Sequence, residues 1–208
     1  VGHSSSHAVR RSVPTESASL NSDPSDASAS ATAPLMPGLT VVVIAKNEER
    51  HLGALFDSVV PLQPAHTLLV DSESTDRTRE IAAAYGVEVV VQPWLGYREQ
   101  RNVGHARVRT PWVLYLDADE RLTPALREEI RAIVQQPQPR IAAYKIKRWN
   151  YYLGRPVRCW YPASILRLAQ TAKSRWIGGH VHEVMEVDGP TATLSHPMWH
   201  DSFRDLED

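Results

Sequence analysis

Two hydrophobic patterns take turns along the first two thirds of this chain. Leu39-Thr40-Val41-Val42-Val43-Ile44-Ala45 is apolar and β-branched, the pattern of a strand covered on both faces, as in a parallel sheet. Lys46-Asn47-Glu48-Glu49 ends it, and Leu52, Leu55, Phe56 and Val59 follow at helical spacing until Pro61. His66 to Val70 predicts a second strand and Arg77 to Tyr85 a second helix, with Gly86 at its C′ position. Val87 to Val91 predicts a third strand, and Arg98 to Ala106 a polar, basic helix. Trp112 to Leu116, opened by Pro111, predicts a fourth strand, and Pro124 to Val134 a fourth helix. This alternation specifies a right-handed α/β sheet, whose ligands bind beyond the carboxyl ends of the strands.

Three of those strand ends carry acids: Glu48-Glu49, the run from Asp71 to Asp76, and Asp117-Ala118-Asp119-Glu120. Like charges held together repel and must be hydrated or neutralised. Hard oxygen ligands on a short segment suit a divalent cation, Mg2+ or Mn2+, shared with substrate phosphates. The alternative is an acidic turn capping the helix that begins near Pro124.

The flanking regions differ in character. Residues 1–38 hold ten Ser, six Ala and four Pro with scarcely any large apolar residue, which predicts a disordered tail. From Ile130 through His182 there is no Asp or Glu, and Arg140 to Arg175 contains nine Lys or Arg interleaved with Trp149, Tyr151, Tyr152, Trp160 and Tyr161. One reading is a solvated, twisted β-region. The other is a basic, aromatic-edged surface for phosphorylated glycan, anionic lipid headgroup or nucleic acid. His180 and His182, at i, i+2, would share one face of a strand. A dedicated zinc site has little support, because Cys159 is the single cysteine and no His-Glu-x-x-His helix is present.

Composition narrows the field. A length of 208 residues suits one domain with a sizeable core. A net charge of -1 gives no general attraction to nucleic acid or membrane. The single cysteine excludes an internal disulfide framework and suits a reducing compartment. No apolar run is long enough to cross a bilayer and no signal peptide is visible, so the expected location is cytoplasmic, with peripheral membrane contact through the basic aromatic region.

Four motifs in order then resemble the family 2 glycosyltransferases of GT-A fold. They are Lys46-Asn47-Glu48-Glu49 after its strand, Val70-Asp71-Ser72-Glu73-Ser74-Thr75-Asp76-Arg77-Thr78, Gln100-Arg101-Asn102-Val103-Gly104, and Leu116-Asp117-Ala118-Asp119-Glu120. Within that family the chain is most similar to lipopolysaccharide-core glycosyltransferases of the KdtX/WaaE type, over about residues 38–205. The resemblance implies a Rossmann-like, mostly parallel central sheet flanked by helices, with a nucleotide-sugar-binding half over 39–136. A smaller basic, β-rich region over 137–208 would hold the acceptor side and the catalytic base. It places Asp71 on the nucleotide base with Ala45, Asn47 and Glu48 lining the pocket. Asp117 and Asp119 form the Asp-x-Asp motif around Ala118, the first near the ribose and also in the metal set, the second on the metal. Arg98 and Arg101 lie near the phosphates, Glu183 is the base, and His200 joins the metal shell. Two departures stand out. Glu73 replaces the usual Gly, which predicts a differently shaped turn, and relatives generally continue into further helices beyond the position of Asp208, so a fragment or reduced member is expected.

The expected chemistry is metal-dependent, inverting transfer of a hexose from a nucleotide-diphosphate sugar, UDP-glucose-like, to a glycan or glycolipid acceptor. The competing readings are a metal-dependent nucleotidyltransferase and a non-catalytic module binding anionic lipid or nucleic acid through 140–175. The first would want a Gly-rich phosphate loop after the first strand, which Ala45-Lys46-Asn47-Glu48 is not. The acid clusters and near-neutral charge weigh against nucleic acid.

Overall fold

The computed structural model describes residues 1–2, 35–152, 155–156, 164–179 and 183–203. The chain divides into Val1–Thr32 and Ala33–Asp208. Of the first unit only Val1 and Gly2 are described, both exposed, so the expected tail over 1–38 falls almost wholly outside the described residues. Its far boundary does not: Met36 is already fully buried in the first strand and pairs with Pro64.

Each predicted alternation of the first two thirds forms. Strands β1 (Met36–Ala45), β2 (Pro64–Asp71), β3 (Glu88–Val91) and β4 (Trp112–Asp117) are separated by helices α1 (Leu52–Val59), α2 (Thr78–Ala84) and α3 (Tyr97–His105). Gly86 takes φ +69° past the end of α2, the left-handed conformation that glycine adopts without a Cβ clash. The four strands lie in the order β3-β2-β1-β4, all parallel. After β4 come β5 (Glu120–Leu122) and α4 (Pro124–Val134). The cap of α4 is Thr123, whose Oγ1 accepts the Leu126 N–H at 3.2 Å and donates to Pro197 O at 2.9 Å. The acids before it are therefore not the helix cap.

Residues 137–208 are β-rich, as expected. Strands β6 (Ala143–Tyr152), β7 (Arg155–Pro156), β8 (Ser164–Gln170), β11 (Thr191–Thr193) and β12 (Met198–Phe203) extend the same sheet. The path continues β4-β8-β6-β12-β5, with β4–β8 and β8–β6 antiparallel and β6–β12 parallel. Strands β9 (Ser174–Gly178) and β10 (Glu183–Val187) form a separate antiparallel pair.

Strand β1 is covered on both faces, as its sequence requires. Val41 and Val43 join one apolar cluster with α1, α4 and Leu114 and Leu116 of β4. Val42 and Ile44 join another with Val70, Tyr115, Trp176 and Met185. Helix α3 lies on this second face, and Gly104 sets its distance: a Cβ there would lie 2.5 Å from Val42 Cγ1 and 3.2 Å from Val70 Cγ2. With no side chain at that point, α3 settles directly on β1 and β2.

Candidate active site

Beyond the carboxyl ends of β1, β2 and β4 opens a cleft of about 630 Å³, lined by Ala45, Lys46, Glu48, Ser72, Trp94, Tyr97, Arg101, Asp117, Ala118, Asp119, Glu183 and His200, with Ile44 at its floor. Seven of the sequence-derived site residues thus share one cavity with His200, contributed by β1, β4, β10, β12 and α3 and by the loops after β1 and β4.

The loops after β1 and β2 hold one another. Asn47, at φ +57°, donates its N–H to Ser74 Oγ at 2.8 Å and accepts the Thr75 N–H at 2.8 Å through Oδ1. The Glu48 N–H donates to Thr78 Oγ1 at 2.7 Å, the Glu49 N–H to Asp76 Oδ2 at 3.0 Å, and the Arg77 N–H returns to Glu49 Oε2 at 3.0 Å. Asn47 is spent on this clasp and stands outside the cleft lining. Glu73 takes φ +57°, so its backbone follows the path that glycine would give it. Asp71 is fully buried; its Oδ2 accepts the Ser74 N–H at 3.0 Å, and its Oδ1 has no hydrogen-bond partner among the described residues.

Asp117 sits between two guanidinium groups. Arg101 Nη2 donates to its Oδ1 at 2.7 Å, and Arg167 Nη2 to its Oδ2. Arg167, almost fully buried, also donates from Nη2 to Glu120 Oε1 at 2.8 Å and from Nε to Oε2 at 3.1 Å, while Arg148 Nη1 lies 3.9 Å from Oε1. Burial pushes the Asp117 carboxyl up, but Arg101 and Arg167 outweigh it and hold it well below the usual carboxylate range. Burial pushes Glu120 up, and Arg167 offsets this only in part. Within the acid cluster, Asp117 and Glu120 are therefore charge-paired with arginine. Two cations of the basic stretch, Arg167 and Arg148, face inward to these acids, whereas Arg140, Lys145, Lys173 and Arg175 are exposed.

Arg101, itself buried, lies over the Trp176 ring at 4.7 Å and reaches Glu183 Oε1 from Nε at 3.4 Å. It comes from α3 three residues before Gly104, so the close seat of that helix aims it at the strand ends. Arg98 points elsewhere: Nη1 donates to Gly178 O at 2.6 Å, and its guanidinium pairs with Glu99. Gln100, fully buried, donates through Nε2 to Ser72 Oγ at 3.0 Å, Gln92 O at 3.1 Å and Pro93 O at 3.0 Å, pinning the β3–α3 loop.

Asp119 Oδ2 lies 3.2 Å from His200 Nε2, whose Nδ1 meets Asn150 Oδ1 at 2.8 Å. An oxygen and a nitrogen donor facing one cleft fit a divalent ion that takes its remaining ligands from phosphate and water. Among the described residues no group of three or more His, Cys, Asp or Glu is placed to hold a metal, so Asp117 does not complete a three-residue set with this pair. The expectation that His180 and His182 share a face lies outside the described residues, as do Cys159, Trp160 and Tyr161.

Lys46 and Ser72 stood inside the motifs above without a role, and Trp94, Tyr97 and Arg167 were not singled out as site residues. Arg167 left a signal, a single charge inside the apolar strand Ile165-Leu166-Arg167-Leu168-Ala169.

Residues 40–186 match the family described as Glycosyl transferase family 2. An uncharacterized glycosyltransferase of Rickettsia typhi is 38% identical over 120 residues, which is 57% of this chain and 41% of that protein. The lipopolysaccharide core biosynthesis glycosyltransferase LpsC of Rhizobium meliloti is 30% identical over 167 residues, 75% of this chain and 59% of that protein. The chain thus spans about two fifths of the length of the Rickettsia relative. In fold it is similar to glucosyl-3-phosphoglycerate synthase from Mycobacterium tuberculosis, with a TM-score of 0.56 at 20% identity over 82% of this chain and 74% of that one. The architecture is the GT-A fold, and the chain belongs to glycosyltransferase family 2.

Proposed function

We propose that this chain carries out metal-dependent, inverting transfer of a hexose from a nucleotide-diphosphate sugar to a hydroxyl of a glycan or glycolipid such as lipopolysaccharide core. The observation that carries the proposal is the meeting of the Asp119–His200 pair, Arg101 and Glu183 in one cleft at the strand ends. The name of LpsC supports the acceptor class. The Mycobacterium tuberculosis synthase has also been crystallised with Mn2+ and uridine-diphosphate.

In this reading the nucleoside lies along Ala45, Glu48 and Ser72; Asp71, fully buried and outside the cleft lining, has an unpartnered Oδ1 that would receive a base N–H only once uncovered. Lys46 and Arg101 supply positive charge along the diphosphate. Arg98 joins them only by leaving Glu99 and Gly178. Asp117, clamped by Arg101 and Arg167, orients Arg101. A Mg2+ or Mn2+ ion held by Asp119 and His200 would supply Lewis-acid stabilisation of the leaving diphosphate. Glu183 takes the proton of the acceptor hydroxyl as its oxygen bonds to the anomeric carbon and the bond to the diphosphate oxygen breaks. One displacement gives inversion. Among the described residues no helix is long and apolar enough to cross a membrane.

Calorimetric titration with UDP-glucose, UDP and GDP-mannose, each with and without Mn2+, tests the reading. We expect Mn2+-dependent binding of one nucleotide in the wild type and its loss, at least tenfold, in Asp119→Ala with an unchanged thermal transition (about 1.4 kcal/mol per factor of ten). Metal-independent binding, or full affinity in the variant, would remove the metal role.

A further inference from the structure

The cleft contains one feature that the donor and base assignments leave unused. Trp94 and Tyr97 are 44% exposed each, more than any other Trp or Tyr whose exposure is described, and both line the cleft. They pack edge to face, with centroids 4.8 Å apart and planes at 88°. Large rings left open at the mouth of a polar cleft are a cost to the free protein that a ligand can recover.

Their support is rigid. Gln100 ties the backbone carbonyls of Gln92 and Pro93, immediately before Trp94, to Ser72 on the end of β2. Gly96, at φ +102°, turns the chain into α3, so Tyr97 begins the helix. The two rings are thus fixed relative to Arg101 one turn further on.

We propose that Trp94 and Tyr97 form a stacking platform for a pyranose ring, resting on the nucleotide-sugar reading above. A pyranose has an apolar face of axial C–H groups and a polar rim of hydroxyls. Perpendicular rings offer one such face and one edge, with the Tyr97 hydroxyl beside them. A planar nucleobase would gain more from two parallel rings. The sugar is either the hexose of the donor or the first ring of the acceptor, and both present the same chemistry.

Calorimetry of the full chain with Mn2+ decides the matter, using Trp94→Ala and the conservative Trp94→Phe. The probes are UDP, three UDP-hexoses (glucose, galactose and N-acetylglucosamine), and methyl β-D-glucoside added after UDP. The expected result in Trp94→Ala is an unchanged UDP affinity with about a tenfold loss for a UDP-hexose or for the glucoside, largely restored by Trp94→Phe. Loss with the UDP-hexose marks a donor ring, and loss with the glucoside an acceptor ring. Equal loss for UDP would mean that Trp94 holds the base, and full retention for every sugar probe would mean an idle surface; either overturns the platform while the donor site stands. Failure of the wild type with Mn2+ to bind both UDP and the GDP-mannose of the titration above removes the donor reading and the platform with it.

Discussion

Arg167 brings one positive charge to a place where the chain has put two carboxylates, Asp117 and Glu120. Removing one partner of a buried ion network is costly because the remaining charges stay desolvated. Arg167→Leu is expected to lower unfolding free energy by about 3–5 kcal/mol at pH 7 in urea denaturation. The loss depends on pH in a definite sense. Asp117 is held below its ordinary value by Arg101 and Arg167, so the unfolded chain binds a proton more readily than the native one. Its share of stability is present above the usual carboxylate range and fades as pH falls through and below it. The variant lacks much of that share, so the two proteins converge only as pH falls below the usual carboxylate range, and an acid-independent difference would contradict the assignment. The acids themselves were plain in the sequence. Their partner was not, because Arg167 is fifty residues from Asp117 and sits within a stretch whose many cations read equally well as surface.

Helix α3 shows how an element can aim a side chain. Its polar sequence gives the helix away, yet nothing in the periodicity says how near it lies to the sheet. That distance is fixed by Gly104 against Val42 and Val70. Gly104→Ala would force a methyl group into Val42 and lift the helix, costing about 1–3 kcal/mol and displacing Arg101 from Asp117 and Glu183. Reduced thermal stability together with weaker nucleotide binding is the expected outcome; a stability loss with unchanged binding would separate the helix seat from the site. Elements of the first two thirds were legible because β1 and β4 are apolar runs buried on both faces and α1 and α4 each show one apolar stripe; the edge strand β3 and the polar helix α3 were legible from their β-branched and polar runs and their place in the alternation. The later strands were legible only as a β-rich region, since short strands such as β7 and β11 carry too few residues to establish a period.

Across the whole molecule, one sheet runs from β3 to β5 through both sequence halves. β4 has β1 on one side and β8 on the other, and β5 pairs with β12. The half that supplies Asp119 receives His200, Glu183 and Arg167 from the other. A chain cut after Gln136 would expose an edge of β4 and leave Glu120 without Arg167 and Arg148. It should show no cooperative urea transition, whereas a sharp transition would mean that the first half folds by itself. Strand order of this kind was beyond the sequence, because local patterning says which residues are buried but not which distant strand covers them.

The clasp between the loops after β1 and β2 carries a consequence for rates. Asn47, Glu48 and Glu49 already hold Ser74, Thr75, Asp76, Arg77 and Thr78 in place with backbone and side-chain hydrogen bonds. A nucleotide arriving at the proposed pocket need not wait for those loops to order. Encounter would then be set by diffusion and the field of Lys46 and Arg101, and rival donors would differ chiefly in how long they stay.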